Sequence, residues 1–167
     1  IRDRVSAVRP VAACAVRRGG RLVAHALLTE AVADAVDLDV RLHTPGDRLR
    51  SSPAVRRAAM HALGAQLARM HAAGFVHRDL HARNVLVASS DAGVRVTFLD
   101  CRRGGRARRT RDVMLDLATL DRDVQGVVTR GERRAALAAY IGSRDDAKEV
   151  VEAVAAIRET LPPPRRP

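Results

Sequence analysis

The first forty positions carry two short apolar runs that predict a β-hairpin. Val11–Val16 and Leu22–Leu28 are rich in apolar residues, and the segment between them contains Gly19 and Gly20. Glycine takes the positive φ angles of a tight turn without strain, so this pair favours two antiparallel strands. The following stretch, Thr29–Asp39, loses the pattern and gains acidic residues, which is typical of an exposed connector.

A long helix is the clearest element that the pattern predicts. Ser52 can cap its amino-terminal end, and Pro53 suits the first helical position because an N–H there would have no helical partner. Gly74 can end the helix in the left-handed conformation, with Phe75 available for the hydrophobic contact that often follows. Apolar residues recur at three- and four-residue spacing and form one face: Val55, Ala59, Leu63, Leu67 and Met70.

The rest of the chain reads as short strands, helices and loops. Loops are predicted over His43–Ser52 and over the arginine-rich Arg102–Arg111, and a turn over Ser89–Gly93. The tail Leu161–Pro167 holds four prolines and is expected to be disordered. Two strands and three helices are predicted from hydrophobic spacing: Val85–Ala88, Val94–Leu99, Met114–Leu120, Glu132–Ile141 and Ala147–Thr160.

The segment between the long helix and the next strand carries a chemical motif. His77–Asn84 reads His-Arg-Asp-Leu-His-Ala-Arg-Asn, which matches the kinase catalytic-loop pattern H-R-D-L-x-x-x-N at every fixed position. Asp79 is therefore a candidate for the carboxylate that orients an attacking hydroxyl and takes its proton. Asn84 and Asp100 are candidate magnesium ligands, because hard oxygen donors hold Mg²⁺ against nucleotide phosphates. The two strands between them would fold the chain back towards one ion.

Each of these residues also has a purely structural interpretation. Asp79 could cap a loop, Asn84 could stabilise a turn, and Asp100 could make local hydrogen bonds at a strand end. The three together, in this order and separated by the expected elements, favour the catalytic interpretation. His77 is expected to pack the loop against the core, and a zinc site that pairs it with His81 is not favoured.

The same residues resemble the Kdo/WaaP lipopolysaccharide kinases, which are sugar kinases of Gram-negative bacteria with a protein-kinase-like fold. The resemblance extends from about Val8 to Ile141, and the segments Gly74–Val87, Phe98–Gly105 and Arg111–Ala118 carry it. It implies ATP- and Mg²⁺-dependent phosphorylation of a sugar hydroxyl, in the lipopolysaccharide inner core (heptose or Kdo).

The resemblance implies a catalytic centre built from Asp79, Asn84 and Asp100. Asp79 would be the catalytic base; Arg83 of the same loop is a further catalytic candidate. Asn84 and Asp100 would hold Mg²⁺, with ATP as the co-substrate.

The resemblance also implies supporting residues around that centre. His77 and Arg78 would support the catalytic loop, and Asp116 would brace it as a buried acid on the following helix. An ordinary acid on the helix surface is the alternative for Asp116. Glu30 and Val32 would form the hinge that offers backbone groups to adenine.

The implied fold is α+β and protein-kinase-like, with a mostly helical large lobe and a truncated small lobe that keeps one β-hairpin. Residues 1–40 would be a remnant of the amino-terminal ATP lobe, 41–160 the carboxy-terminal catalytic lobe and 161–167 a disordered tail. No Gly-rich loop precedes the catalytic loop, and the only lysine, Lys148, follows it. We therefore expect a fragment of a kinase, or a degenerate one, with little or no phosphotransfer by residues 1–167 alone.

Two further functions are compatible with this sequence. One is another small-molecule or protein kinase of the same fold, and the other is an inactive pseudokinase that binds partners. Asp100 is followed by Cys-Arg rather than Phe-Gly, and the chain has no Ala-Pro-Glu sequence. Both departures argue against a protein kinase.

The net charge of +11 raises the question of nucleic-acid binding. Nearly all the basic residues are arginine, a bias typical of a GC-rich genome, and the scarce aromatic residues leave little for base stacking. Nucleic acid is therefore an unlikely partner. Arg102, Arg103 and Arg106 follow the metal site and could bind an anionic glycolipid or sugar acceptor, or could simply form a solvated loop.

The sequence favours a cytoplasmic protein, either free or in peripheral contact with the inner membrane surface. No apolar run approaches the roughly 20 residues of a membrane-spanning helix, and no signal peptide is visible. Cys14 and Cys101 are too isolated for a disulfide framework or a zinc site, so reduced thiols are expected.

Overall fold

The computed structural model describes residues 5–90, 93–142 and 146–163, without the side chain of Arg102. The strands are β1 (Pro10–Arg18), β2 (Arg21–Thr29), β3 (Ala35–Asp37), β4 (Phe75–Val76), β5 (Val85–Ser90), β6 (Gly93–Phe98) and β7 (Gly105–Arg106). The α-helices are α1 (Leu38–His43), α2 (Arg48–Ser51), α3 (Pro53–Ala72), α4 (Thr110–Val124), α5 (Arg130–Ile141) and α6 (Ala147–Thr160). Single 3-10 turns are formed by Ala82–Asn84 and Cys101–Arg103.

The predicted hairpin at the start of the chain is present and is longer than the apolar runs suggested. β1 and β2 pair antiparallel, and the turn between them places Gly19 and Gly20 at φ angles of 56° and 77°. Every residue of both strands is exposed, including Leu27 at 63%. The hairpin therefore contributes little to the hydrophobic core.

The central sheet has three antiparallel strands in the order β3-β5-β6. Its inner face buries Val85, Val87 and Phe98, whose side chains are at most 1% exposed. The segment before β1 extends this sheet, because the Phe98 N–H donates to the Ser6 carbonyl oxygen at 3.0 Å and the Val8 N–H donates to the Phe98 carbonyl oxygen at 3.2 Å.

Two short helices and a strand occupy segments that the sequence pattern assigned to connectors. Asp37 and Asp47 cap α1 and α2, because their carboxylates accept the N–H groups of Val40 at 2.8 Å and of Leu49 at 2.6 Å. Leu49 is fully buried within the predicted loop His43–Ser52. Such elements were missed because four to six residues are too few to show a helical period.

The long helix α3 begins and ends where its capping residues predict. The Ser52 hydroxyl accepts the Val55 N–H at 3.4 Å, and Pro53 is the first helical residue. At the other end Gly74 has a φ of 74° and donates its N–H to the His71 carbonyl oxygen at 2.9 Å. The helix packs against β6 on one side and along α5 on another, so it is the centre of the domain.

A charged residue of α3, Arg56, is buried at the junction of three helices. Arg56 is 8% exposed and donates from Nε to both carboxylate oxygens of Glu132, at 2.9 and 3.0 Å. Its Nη1 donates to the carbonyl oxygens of Leu49 and Arg50 at 3.2 and 2.6 Å. This arginine therefore ties α2 and α3 to the start of α5.

The three carboxy-terminal helices match the sequence prediction in place, and two of them are longer than predicted. α4 and α5 begin earlier than their apolar spacing suggested, and α6 has the predicted bounds. Leu161 packs against the core and the Pro162 carbonyl oxygen accepts from Arg122 Nη1 at 2.8 Å. The rest of the predicted disordered tail, 164–167, lies outside the described residues. Within the described part of the chain, no helix combines the length and the apolar character needed to cross a membrane.

Candidate active site

The pairing of β5 with β6 brings two predicted metal ligands to one end of the sheet. Val85 pairs with Phe98, and just beyond this pair the Leu99 N–H donates to the Asn84 carbonyl oxygen at 2.8 Å. Residues 84 and 99 are therefore opposite each other, and Asp100 follows by one residue.

The backbone is unusual at two positions of this site. Arg78 and Asp100 have φ angles of 61° and 48°, in the left-handed region that non-glycine residues rarely adopt. At Asp100 this conformation turns the chain away from the extended direction of β6 and leads into the 3-10 turn Cys101–Arg103. Strained backbone of this kind clusters at functional sites, where the surrounding structure holds it in place.

Asp79 and Asn84 are in direct contact within the catalytic loop. Asn84 is 8% exposed, and its Nδ2 donates to the Asp79 carbonyl oxygen at 2.8 Å and lies 3.4 Å from Asp79 Oδ2. Because the amide nitrogen is directed towards Asp79, Oδ1 of Asn84, bonded to the same carbon, is directed away from these contacts. The candidate base and the first candidate metal ligand thus share one small region.

A buried carboxylate on α4 holds the backbone of the loop. Asp116 is 1% exposed, so it is not the surface acid of the alternative interpretation. Its Oδ2 accepts the His77 N–H at 2.6 Å, and its Oδ1 accepts the Arg78 N–H at 2.8 Å. The His77 ring is fully buried, with Nε2 2.7 Å from the Leu99 carbonyl oxygen. The loop is therefore fixed both to α4 and to the end of β6.

The model of the family described as "Lipopolysaccharide kinase (Kdo/WaaP) family" matches residues 2–142, which include all of these positions. The chain belongs to the lipopolysaccharide kinase (Kdo/WaaP) family. Membership identifies it as a kinase and confirms the resemblance that the catalytic-loop and Asp100 segments indicated.

The chain is also similar to a solved structure described as "WaaP in complex with acyl carrier protein". The two share 25% sequence identity with a TM-score of 0.70, and the match covers 93% of this chain and 69% of that chain. This similarity confirms the predicted fold class for this member of the Kdo/WaaP family. No curated protein matches the chain.

The donor set of this Kdo/WaaP kinase suits magnesium rather than a metal held by protein alone. Asn84 offers an amide oxygen and Asp100 a carboxylate, which are hard ligands of the kind that Mg²⁺ takes together with substrate phosphates and water. No group of three or more His, Cys, Asp or Glu side chains able to hold a metal ion occurs in residues 5–90, 93–142 and 146–163. The two oxygen donors of Asn84 and Asp100 fit a magnesium ion shared with a nucleotide.

The predicted hinge residues lie at the base of the exposed hairpin. Glu30 directly follows β2, donates its N–H to the Arg9 carbonyl oxygen at 2.8 Å and pairs with the Arg9 guanidinium at 2.6 Å. The Val32 carbonyl oxygen accepts the Ala35 N–H at 3.3 Å. In the catalytic loop, Arg83 is exposed beside Asn84.

The arginine-rich segment lies next to the catalytic loop. β7 pairs with β4, and Arg78 donates from Nη2 to the Arg106 carbonyl oxygen at 3.0 Å. A Cβ at Gly104 would overlap the ring of Phe75, so this close approach requires glycine. Arg103 and Arg106 are exposed, and the side chain of Arg102 lies outside the described part of the structure.

Cys101, directly after the candidate metal ligand, carries a thiol that stays protonated. Burial raises the pKa of Cys101, and the negative charges of Asp100 and Asp116 raise this pKa further. A thiol in this environment is a weak nucleophile, so Cys101 does not add a reactive group to the site.

Sequence reasoning missed a second carboxylate of α4 that reaches the loop. Asp123 Oδ2 lies 2.8 Å from His81 Nδ1 and accepts the Ala82 N–H at 3.2 Å. Asp123 follows Asp116 by two helical turns, so both carboxylates lie on the same face of α4. This seven-residue spacing between acids is the signal in the sequence that could have revealed it.

A histidine on α3 was also missed. The His71 ring lies with Nδ1 3.0 Å from the Tyr140 hydroxyl and Nε2 3.4 Å from Asp116 Oδ2. It therefore joins α3, α4 and α5 directly behind the catalytic loop. No motif spacing relates these three residues, so only the packing of the helices shows the cluster.

Proposed function

We propose that this protein transfers the γ-phosphoryl group of ATP to a sugar hydroxyl of the lipopolysaccharide inner core, on a heptose or a Kdo residue. The observation that carries the reaction is the contact between Asp79 and Asn84, with Asp100 at the adjoining end of β6. Membership of the lipopolysaccharide kinase family supports the class of acceptor.

The catalytic loop can supply the proton transfer that the reaction requires. As the acceptor oxygen forms a bond to the γ-phosphorus and the bond to the β–γ bridging oxygen breaks, the Asp79 carboxylate takes the hydroxyl proton. Magnesium, when bound, neutralises charge on the phosphate oxygens, and Asn84 Oδ1 and the Asp100 carboxylate are the residues that would hold it. Asp116 keeps the loop in position through the two N–H groups that it binds.

Adenine recognition is assigned to the connector after β2. The Glu30 N–H and the Val32 carbonyl oxygen already have partners inside the chain. We therefore assign the Glu30 carbonyl oxygen and the Val32 N–H to adenine, which offers a donor and an acceptor on one edge.

The acceptor is assigned to the arginine side of the loop. Arg103 and Arg106 are exposed next to β4, and Arg102 precedes them. Guanidinium groups bind phosphate and carboxylate in bidentate fashion, and inner-core sugars carry such anions. Peripheral action at the inner membrane surface is part of the proposal.

A protein partner of the acyl carrier class is a further element of the proposal. The similar WaaP structure is described as a complex with acyl carrier protein, and this chain carries a strong positive net charge of +11. Size-exclusion chromatography of the purified protein with acyl carrier protein should give one co-eluting peak. Separate elution at low ionic strength would remove this partner from the proposal.

Turnover of purified lipid A–core by the full-length protein tests the function. With Mg²⁺ and ATP, Asp79→Asn should lower the rate by about 100-fold or more, because a positioned general base contributes about 10²–10⁴-fold. Asp39→Asn on α1 is the matched control, since Asp39 pairs with His43 at the surface. Equal rates for Asp79→Asn and the unmodified protein would refute the assignment. Phosphorylation of a protein or of another small molecule, without phosphorylation of lipid A–core, would favour the other kinase classes. No turnover of any acceptor would favour a pseudokinase.

Residues 1–167 alone are expected to transfer little or no phosphate. The lysine and Gly-rich loop that clamp ATP in kinases have no counterpart before the catalytic loop in this sequence. The same assay on the 167-residue chain checks this, and robust turnover would contradict it.

A further inference from the structure

Both carboxylate oxygens of Asp79 face a side chain of the catalytic loop. Asn84 Nδ2 lies 3.4 Å from Oδ2, and His81 Nε2 lies 3.7 Å from Oδ1. The second distance is that of an ion pair rather than a short hydrogen bond. Catalytic contacts are often long before substrate binds and shorten in the reactive complex.

The His81 ring is not free to turn, because its other nitrogen is held by α4. His81 Nδ1 lies 2.8 Å from Asp123 Oδ2, and the Asp123 side chain is 9% exposed. Asp123 is itself fixed by Arg122, whose Nε and Nη2 donate to Oδ1 at 3.2 and 2.8 Å, and by the Ala82 N–H. Asp123 therefore determines where Nε2 of His81 is directed.

The charge of Asp123 supports this anchoring. Burial alone would raise the pKa of Asp123, but hydrogen bonds from His81, Arg122 and the Ala82 N–H hold it below the usual value. The carboxylate is ionised at neutral pH and accepts from the Nδ1–H of the ring. Nε2 faces the Asp79 carboxylate in the same way, so both ring nitrogens act as donors. An unprotonated nitrogen on either side would leave two acceptors in contact, which is unfavourable.

We infer that His81 is a positioning residue of the phosphoryl transfer, and that Asp123 orients its ring so that Nε2 holds Oδ1 of Asp79 towards the acceptor hydroxyl. The inference rests on the proposed function, because His81 acts through the catalytic carboxylate. Asn84 and His81 then fix the two oxygens of Asp79 from two directions. A carboxylate fixed in this way loses less orientational freedom when the substrate binds.

A purely structural role for His81 is the competing explanation, since Asp123 also braces the loop through Ala82. Two amide substitutions separate the roles. The amide nitrogen of His81→Gln can occupy the place of Nε2, whereas that of His81→Asn can occupy only the place of Nδ1. His81→Asn thus keeps the contact with Asp123 and loses the contact with Asp79.

Steady-state kinetics of the full-length protein with lipid A–core as the acceptor provide the test. His81→Asn should lower kcat by about 10- to 100-fold, the scale of a misplaced catalytic group, with an unchanged KM for ATP and an unchanged melting temperature. His81→Gln keeps a donor towards Asp79 but not the anchor to Asp123, so it should retain more of kcat than His81→Asn does. Equal kcat values for the two variants, or losses of kcat that follow losses of melting temperature, would overturn the inference.

Asp123 provides a double-mutant check. Asp123→Asn should lower kcat in the unmodified protein but add little to the loss in His81→Asn, because both changes remove the same arrangement. Independent, multiplicative losses would contradict the coupling. Asp79→Asn separates this inference from the proposed function. If Asp79→Asn leaves kcat unchanged, the proposed function fails. If Asp79→Asn abolishes turnover while His81→Asn and Asp123→Asn leave kcat unchanged, only the role of His81 fails.

A readout without turnover uses the 167-residue chain itself. Long-range ¹H–¹⁵N correlation spectra should show a proton on both ring nitrogens of His81, and Asp123→Asn should change that pattern while the His43 signals stay the same. A His81 ring that carries a proton on only one nitrogen would overturn the inference.

Discussion

At the residue scale, the buried pair of Arg56 and Glu132 should dominate the stability of the α2–α3–α5 junction. Glu132→Gln leaves the buried guanidinium without a counter-charge, so it should lower the free energy of unfolding by about 3–5 kcal/mol in urea titration. Glu152→Gln is the matched control, because its pair with Lys148 is exposed and should change stability by less than about 1 kcal/mol. Similar losses in the two variants would contradict a dominant buried pair.

The same pair predicts how stability depends on pH. Burial would raise the pKa of Glu132, but hydrogen bonds from Arg56 and Thr129 hold it below its ordinary value of 4.5. A lowered folded pKa means that the stabilisation is complete above that ordinary value and is lost as pH falls through the folded pKa. The difference in unfolding free energy between the unmodified protein and Glu132→Gln should therefore shrink below about pH 4. A constant difference between pH 7 and pH 3 would contradict this.

The residues of the candidate site could be predicted where one loop and one hairpin fix their spacing. Asp79, Asn84 and Asp100 could be named from the sequence because the chemistry demands these residue types at set positions. The partnership of Arg56 with Glu132 could not, since charged residues are expected at the surface and nothing local relates positions 56 and 132. Asp123 was missed for the same reason, although its spacing from Asp116 was visible.

At the element scale, α3 was predicted almost to the residue, because its caps and its long apolar face are local signals. The starts of α4 and α5 were missed because arginine-rich first turns carry no apolar period. The role of α4 emerges only in three dimensions: Asp116 and Asp123, two turns apart, hold the start and the middle of the catalytic loop. A helix pattern cannot show which loop its polar face will meet.

The contact between α3 and α5 depends on a glycine. A Cβ at Gly64 would overlap the carbonyl oxygen of Ala136, so Gly64→Ala should destabilise the protein by about 1–3 kcal/mol through overpacking. Gly131→Ala on α5 is the control, since a Cβ there meets open space and alanine is the better helix former by up to about 1 kcal/mol. Thermal unfolding should shift in opposite directions, and a stabilised Gly64→Ala would show that the helices can separate freely.

At the scale of the whole molecule, the residues of the core and those of the hairpin differ sharply in burial. The core is built mainly from β5, β6 and helices α1 to α6, whereas β1 and β2 are exposed throughout. The protein-kinase-like fold could be predicted because the catalytic-loop motif resembles one family. Composition and periodicity alone indicated only a mixed α and β domain.

A matched pair of leucines tests where the stability resides. Leu63→Ala in α3 empties a site that is 3% exposed and should cost about 2–5 kcal/mol. Leu27→Ala in β2 removes a side chain that is 63% exposed and should stay within about 0.5 kcal/mol. Chemical denaturation measures both, and equal losses would show that the hairpin is an integral part of the cooperative unit.

The position of the nucleotide-bound metal tests the whole account most directly. Crystals of the full-length protein can be grown with Mn²⁺ and a non-hydrolysable ATP analogue, and anomalous scattering from them would locate the ion. The account predicts one peak within bonding distance, about 2.1 Å for a magnesium-like ion, of Asn84 Oδ1 and the Asp100 carboxylate, with Asp79 facing the γ-phosphate. A nucleotide-bound metal peak remote from Asn84 and Asp100 would contradict it.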